Sequence, residues 1–158
     1  MMFAWRIGTD TPDYTSEHMG GIGAKTTGGR WNRKGTALVY TASTRALACL
    51  ETVVHLGSGG LPLNRYLVRI EIPDDVWDAR KTLTDKTAPV GWDAIPPGKD
   101  SLDFGDSWVK AGSTCILEVP STIVPEELNV LINPAHADAP RIVGVKVRKW
   151  LYDARIKP

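Results

Sequence analysis

An α+β fold in one domain is what this sequence predicts. Strand-like segments outnumber helix-like ones, and no regular helical crossovers separate them, which disfavours a doubly wound parallel sheet. A length of 158 residues suits a single core, so residues 1–158 are expected to form one domain. A hydrophobic fraction of 42% with 23% charged residues is ordinary for a folded globule.

Taken in order, Thr9 to Gly29 is glycine-rich and lacks periodicity, so it is expected to be a long loop. Ala37 to Thr41 (ALVYT) is a short apolar run of strand formers. Ser43 can then cap a helix running to about Leu56, its hydroxyl accepting from the free amides of the first turn. Ala46, Leu47, Leu50, Val53 and Val54 share one face of that helix, and Gly57 to Gly60 ends it. Tyr66 to Ile72 alternates as a strand, with Tyr66, Val68, Ile70 and Ile72 together, and Pro73 closes it. Lys81 to Lys99 is expected to be a second long connection, followed by a short helix over Asp103 to Lys110. Cys115 to Val119, Asn129 to Asn133 and Ile142 to Val147 complete the strands.

Bulk properties remove several function classes. With 19 basic and 18 acidic residues the formal charge is +1, so the net basic field that drives nucleic-acid or anionic-membrane binding is missing. No apolar run approaches the ~20 residues of a spanning helix, and Met1 to Asp10 does not have the form of a signal peptide. Cys49 and Cys115 lie in apolar stretches as buried free thiols, which fits a reducing cytoplasm. The three histidines, His18, His55 and His136, lie far apart and near no cysteine pair, so no metal and no cofactor are expected. Nor do paired histidines sit near a basic, aromatic surface, as an RNA-cleaving site would need.

Familiar motifs also fail. In Gly20–Gly21–Ile22–Gly23–Ala24–Lys25–Thr26, Ala24 stands where a phosphate loop needs glycine directly before its lysine. A dinucleotide fingerprint would require a strand before these glycines, and none is expected there. No G-x-S-x-G elbow occurs. On a helical wheel Glu51 lies about 100° from the centre of the apolar arc, bordering the core beside Leu47 and Val54. Alone, Glu51 and Arg30 are ordinary surface charges and Tyr40 an ordinary strand aromatic.

As a set, the motifs say more. Trp5–Arg6 leads to GGRWNRKG (28–35), VYTA (39–42) and ALACLETVVHL (46–56). IEIPDD (70–75), Gly91–Trp92, GDSW (105–108) and LEVPS (117–121) follow. NVLINPAH (129–136) and YDAR (152–155) close the series. In order and spacing, over nearly the whole chain, these resemble the RES domain family. That family is named for an arginine, a glutamate and a serine, here matched to Arg30, Glu51 and Ser121. The resemblance implies an ADP-ribosyltransferase-like fold, NAD as substrate rather than cofactor, and the toxin's part in a toxin–antitoxin pair. It also implies a separate antitoxin with an Xre-type helix-turn-helix DNA-binding domain, expected to occlude the NAD cleft.

Within that resemblance each residue takes a role. Glu51 is expected to stabilise the positive charge that develops on the ribose as the nicotinamide–ribose bond breaks. Arg30 suits the pyrophosphate through paired, charge-assisted hydrogen bonds. Tyr40 offers an aromatic face to the cationic nicotinamide ring. Ser121 is placed to bond the carboxamide, the ribose or Glu51, or else to cap a turn. Trp31 is expected either beside the ligand or in the core. Arg6 is expected to bind phosphate or to pair with a buried carboxylate. Asn129, Asn133 and His136 are read as supports for a strand end and a turn. The expected outcome is NAD depletion, with water or inorganic phosphate taking the ADP-ribose and growth arrest following. Transfer to a specific protein is the alternative.

Overall fold

The computed structural model describes residues 1–156. In chain order these form β1 (Met2–Thr9), α1 (Ile22–Thr27), β2 (Val39–Ala42), α2 (Arg45–Val53) and β3 (Arg65–Ile72). They continue with α3 (Asp74–Asp78), β4 (Lys81–Thr82), α4 (Lys99–Ala111), β5 (Ile116–Pro120), β6 (Leu128–Ile132) and β7 (Val143–Trp150). Single 3-10 turns lie at Ala139–Arg141 and Ala154–Ile156. All seven strands belong to one sheet in the order β4-β5-β6-β2-β1-β3-β7. Only β4 and β5 run parallel; the other neighbours are antiparallel, as an α+β fold requires. No described helix is long and apolar enough to cross a membrane.

Alternation along the strands loads both faces of the sheet. Ala4, Val39, Val68, Ile70, Ile72, Ile116, Val130 and Ile132 form one buried layer, closed by Val76 of α3 and by Ile142. Each such aliphatic side chain contributes roughly 1.5–3 kcal/mol on full burial. The opposite face carries two clusters. Trp5, Ile7, Ala42 and Leu67 lie under Leu47 and Ala48 of α2. Leu117, Val119 and Leu131 pack with Trp31, Leu38, Trp92 and Trp108. At the parallel edge Glu118 is buried but compensated: Arg80 Nε donates to its Oε1 at 2.6 Å and Thr82 Oγ1 at 2.9 Å.

Several expectations need correction. β1 was not foreseen; both of its faces are covered, so it lacks a clean two-residue period. A strand therefore does precede the glycines, although Asp10 to Met19 separate the two. Residues 22–27, expected to be loop, form α1, a helix with no buried residue and hence no apolar period. The second helix is capped by Thr44, not Ser43: the Thr44 hydroxyl accepts from the Leu47 amide at 3.0 Å. It stops at Val53 rather than near Leu56, and its buried residues are Leu47 and Ala48, whereas Val54 is 54% exposed. The face is thus turned from the one expected, and Glu51 falls one helical turn below Leu47 and Ala48. α3 and β4 add to the foreseen elements, and α4 begins four residues earlier than expected. Cys115 is buried, its thiol pushed up to about 11 by burial, whereas Cys49 is only half-buried.

One close approach fixes α4 against the segment 28–36. Gly105 lies on the helix face against the Trp31 carbonyl, and a Cβ there would penetrate that oxygen far inside van der Waals contact. Because the obstacle is backbone, it cannot rotate away. Gly105→Ala is expected to lower the unfolding free energy by about 3 kcal/mol, as measured by urea denaturation. An unchanged midpoint would mean that the segment yields freely.

Candidate active site

The segment after α1 is built around Asn32, which is fully buried. Its Nδ2 donates to the carbonyls of Ala24 and Thr36, each at 2.9 Å. Its Oδ1 accepts from the Tyr40 hydroxyl at 2.6 Å, and that hydroxyl in turn accepts from the Trp31 amide at 3.0 Å. Gly29 makes this junction possible, since a Cβ there would come within 2.7 Å of the Tyr40 oxygen. From outside, Arg33 ties the segment to α4 through Asp106 and Asp103 at 3.0 and 2.7 Å.

This frame aims Arg30. Its Nη1 donates to the Trp92 and Ala94 carbonyls at 2.9 and 2.7 Å, which fixes one edge of the guanidinium. Burial works against its charge, and the nearby carboxylates of Glu51 and Asp93 work in its favour. Tyr40 is bound by its hydroxyl, so only its ring is left for a ligand; burial pushes that hydroxyl up, and it stays protonated. Trp31, 2% exposed and edge-on to Phe104 at 6.1 Å, takes the core alternative of the two expected for it.

Glu51, in the last turn of α2, is half-buried over the sheet. Ser121 Oγ donates to its Oε1 at 2.7 Å, and Asn129 Nδ2 donates to the same oxygen at 2.8 Å. Among the described residues, Oε2 accepts no hydrogen bond. Ser121 also caps its turn, accepting from the Ile123 and Val124 amides at 3.1 and 3.2 Å. Of the roles foreseen for Ser121, the bond to Glu51 and the turn cap are therefore both present, on a side chain with no exposure.

Asn129, expected as a strand-end support, donates to Glu51 Oε1 from within β6. A polar residue with poor strand propensity inside an interior strand was the signal that could have singled it out. Asn133 and His136 do support the turn: the Ala135 amide donates to Asn133 Oδ1 and the Asp138 amide to His136 Nδ1, both at 3.0 Å.

Arg6 stands elsewhere. It points away from the face bearing Trp5 and Ile7, into a cleft of about 220 Å3 between the diverging ends of β1 and β2. Its Nη2 donates to the Ser16 and His18 carbonyls at 2.6 and 2.7 Å, so carbonyls replace the buried carboxylate expected for it. Burial pushes Arg6 down to about 10, partly offset by Glu17, and it remains charged at neutral pH. Gly21, Gly23, Tyr14 and Tyr40 also line this cleft, whereas Arg30 and Glu51 do not. Tyr40 is common to both regions, since its hydroxyl also feels the Arg30 charge.

Chemically, the arrangement offers a fixed carboxylate with one unclaimed oxygen, a half-buried guanidinium, and an aromatic ring bordering a cleft. Ser121→Ala removes a charge-assisted bond and leaves two turn amides without their acceptor. It is expected to lower the unfolding free energy by about 2 kcal/mol, measured in urea. Glu51→Gln keeps an oxygen able to accept both bonds and is expected to cost less than that in the same assay.

The site falls within a sequence match to the RES domain that spans residues 3–154. The chain is 60% identical over 152 residues to the "Prs ADP-ribosylating toxin" of Sphingobium sp. (strain YBL2), covering 96% of this chain and 94% of that protein. "Toxin Res" of Yersinia enterocolitica is 37% identical over 145 residues, covering 91% and 93%. "Toxin Res" of Pseudomonas putida is 32% identical over 157 residues, covering 98% and 99%. In fold, the chain resembles one in the crystal structure of the M. tuberculosis MbcT–MbcA toxin–antitoxin complex. The TM-score is 0.66 at 13% identity, over 93% of this chain and 84% of that one. Matched almost end to end by the domain and by full-length relatives, the chain belongs to the RES domain family of toxins.

Proposed function

We propose that this chain is the toxin of a toxin–antitoxin pair and that it breaks the nicotinamide–ribose bond of NAD. The observation that carries this reading is the held Glu51 carboxylate, Oε1 taken by Ser121 and Asn129 and Oε2 left over. As the C1′–N1 bond breaks, its electron pair goes to the pyridinium nitrogen and nicotinamide leaves neutral. Positive charge develops at C1′ and on the ring oxygen of the ribose. A carboxylate already fixed beside that charge stabilises the transition state more than the ground state, and needs no reorganisation to do so. Arg30 keeps guanidinium nitrogens for the pyrophosphate, while its Nη1 holds its place through the Trp92 and Ala94 carbonyls. The Tyr40 ring faces the nicotinamide, and Arg6 in the neighbouring cleft is a second phosphate candidate.

A nucleophile then attacks C1′, its lone pair forming the new bond, and its proton passes to solvent water. The relative at 60% identity is named for ADP-ribosylating Prs, which favours a protein side chain as the acceptor here. Transfer to water or inorganic phosphate, with loss of cellular NAD, is the competing outcome. That the fold recurs in a toxin–antitoxin complex supports a cognate antitoxin, read here as an Xre-type DNA-binding protein that covers the cleft.

The deciding experiment incubates purified protein with NAD, alone, with phosphate, and with a lysate of antitoxin-free cells. Nicotinamide release and protein mass are followed. A protein gaining one ADP-ribose unit, with release dependent on lysate, is expected. Rapid release in buffer or phosphate alone would make NAD loss the activity. Glu51→Gln is expected to slow either reaction by about 10²–10³-fold, and release at the wild-type rate would refute Glu51 as the catalytic carboxylate.

A further inference from the structure

Asn129 is hard to explain as a structural residue. It lies on β6, an interior strand, where its cross-strand neighbours are Ala42 on one side and Val119 on the other. Neither side chain can donate to it. Asparagine is a poor strand former, and an aliphatic residue would suit this position better. Its Nδ2 bonds Glu51, but its Oδ1 is buried and accepts no hydrogen bond among the described residues. The amide cannot be turned to relieve this, because a carboxylate only accepts, and turning would bring two acceptors face to face. A buried acceptor left unpaired is a standing loss of stability, and native structures hold few of them.

We infer that Asn129 is a positioning residue for the reaction, retained to fix the Glu51 carboxylate at the expense of the fold. This rests on the role proposed for Glu51. One donor on Oε1, Ser121 alone, would let the carboxylate swing about that bond. A second donor arriving from β6 fixes its plane, so that Oε2 is held in one direction. Ser121 also caps its own turn and so has a structural reason to be there; Asn129 has no such second bond. The two residues therefore differ in what their removal should do to stability.

The test compares the whole protein with Asn129→Leu and Asn129→Asp, scoring nicotinamide release from NAD in the presence of a lysate of antitoxin-free cells, growth arrest on expression, and the thermal midpoint. Leucine replaces the amide with nearly the same shape and removes the orphaned acceptor. Asn129→Leu is expected to melt at or above the wild-type temperature while kcat falls about 100-fold, with KM for NAD changed by less than about threefold. Asn129→Asp sets an acceptor against Oε1 and is expected to lose as much kcat. Wild-type kcat in a folded Asn129→Leu would overturn the inference. A lowered midpoint with activity falling only in step with the folded fraction would overturn it equally, by making the role structural. If no sample releases nicotinamide, the NAD reading fails. Growth arrest then decides for Asn129: its loss in a folded Asn129→Leu upholds the positioning role, and its persistence ends it.

Discussion

The sheet is joined across its middle by one residue pair. β1 and β2 meet only where Trp5 faces Ala42, whereas β1 pairs with β3 along all eight of its residues. Four strands therefore lie on one side of the joint and three on the other, and something must bridge it. α2 does so, packing on both β1 and β2 with Leu47 and Ala48 seated on Trp5, Ile7, Ala42 and Leu67. Beyond the single pair the two strands part, and the cleft lined by Arg6, Gly8, Val39 and Tyr40 occupies the gap. The same constraint makes the opening and positions the helix that carries Glu51.

The loop after β1 is held against the diverging strands by charge and by missing side chains. Arg6 gathers the Ser16 and His18 carbonyls, while Lys146 on β7 pairs with Asp10 at 2.8 Å and approaches Glu17 at 3.7 Å. Gly8 and Gly144 let the backbone of Ser16 and Glu17 lie directly on the sheet. Arg6, half-buried in the cleft wall, is the more consequential anchor because its Nη2 holds two main-chain carbonyls of the loop. A guanidinium withdrawn from water needs several acceptors, and main-chain carbonyls supply them without neutralising its charge. It thereby stays cationic at the edge of the cleft, available to an anionic ligand.

Strand patterning made most of the sheet legible, because β2, β5 and β6 are short apolar runs and β3 and β7 alternate with a two-residue period. What escaped was set by tertiary contact. β1 is covered on both faces and shows no alternation. α1 buries nothing and so shows no helical period. Apolar spacing alone puts the stripe of α2 over Ala46, Leu47, Leu50, Val53 and Val54, yet the sheet selects Leu47 and Ala48 and leaves Ala46 and Val54 in solvent. That rotation explains why Glu51 could be named from the family pattern while its setting could not. Ser121 was legible for a similar reason, since a serine after a strand-ending proline caps a turn whether or not it also meets a carboxylate. Asn129, whose partner is 78 residues away in sequence, offered only an unsuitable residue type as a clue.

Local rules are kept through most of this chain, and several of the departures lie around Glu51. The strands of the aliphatic layer bury aliphatic side chains, and the buried Glu118 is paired at its Oε1 with Arg80 and Thr82. Around Glu51 the pattern changes. A carboxylate sits on the buried side of a helix, a guanidinium is half withdrawn from water at Arg30, and an amide oxygen on β6 has no donor. Of these, the orphaned amide oxygen is the clear cost to the fold, since an apolar residue of similar shape would remove it. All three share the sheet face that also presents Tyr40 and Ser121. A family pattern can nominate an arginine, a glutamate and a serine; the structure adds that the serine bonds the glutamate and that an asparagine from β6 joins them on the same oxygen.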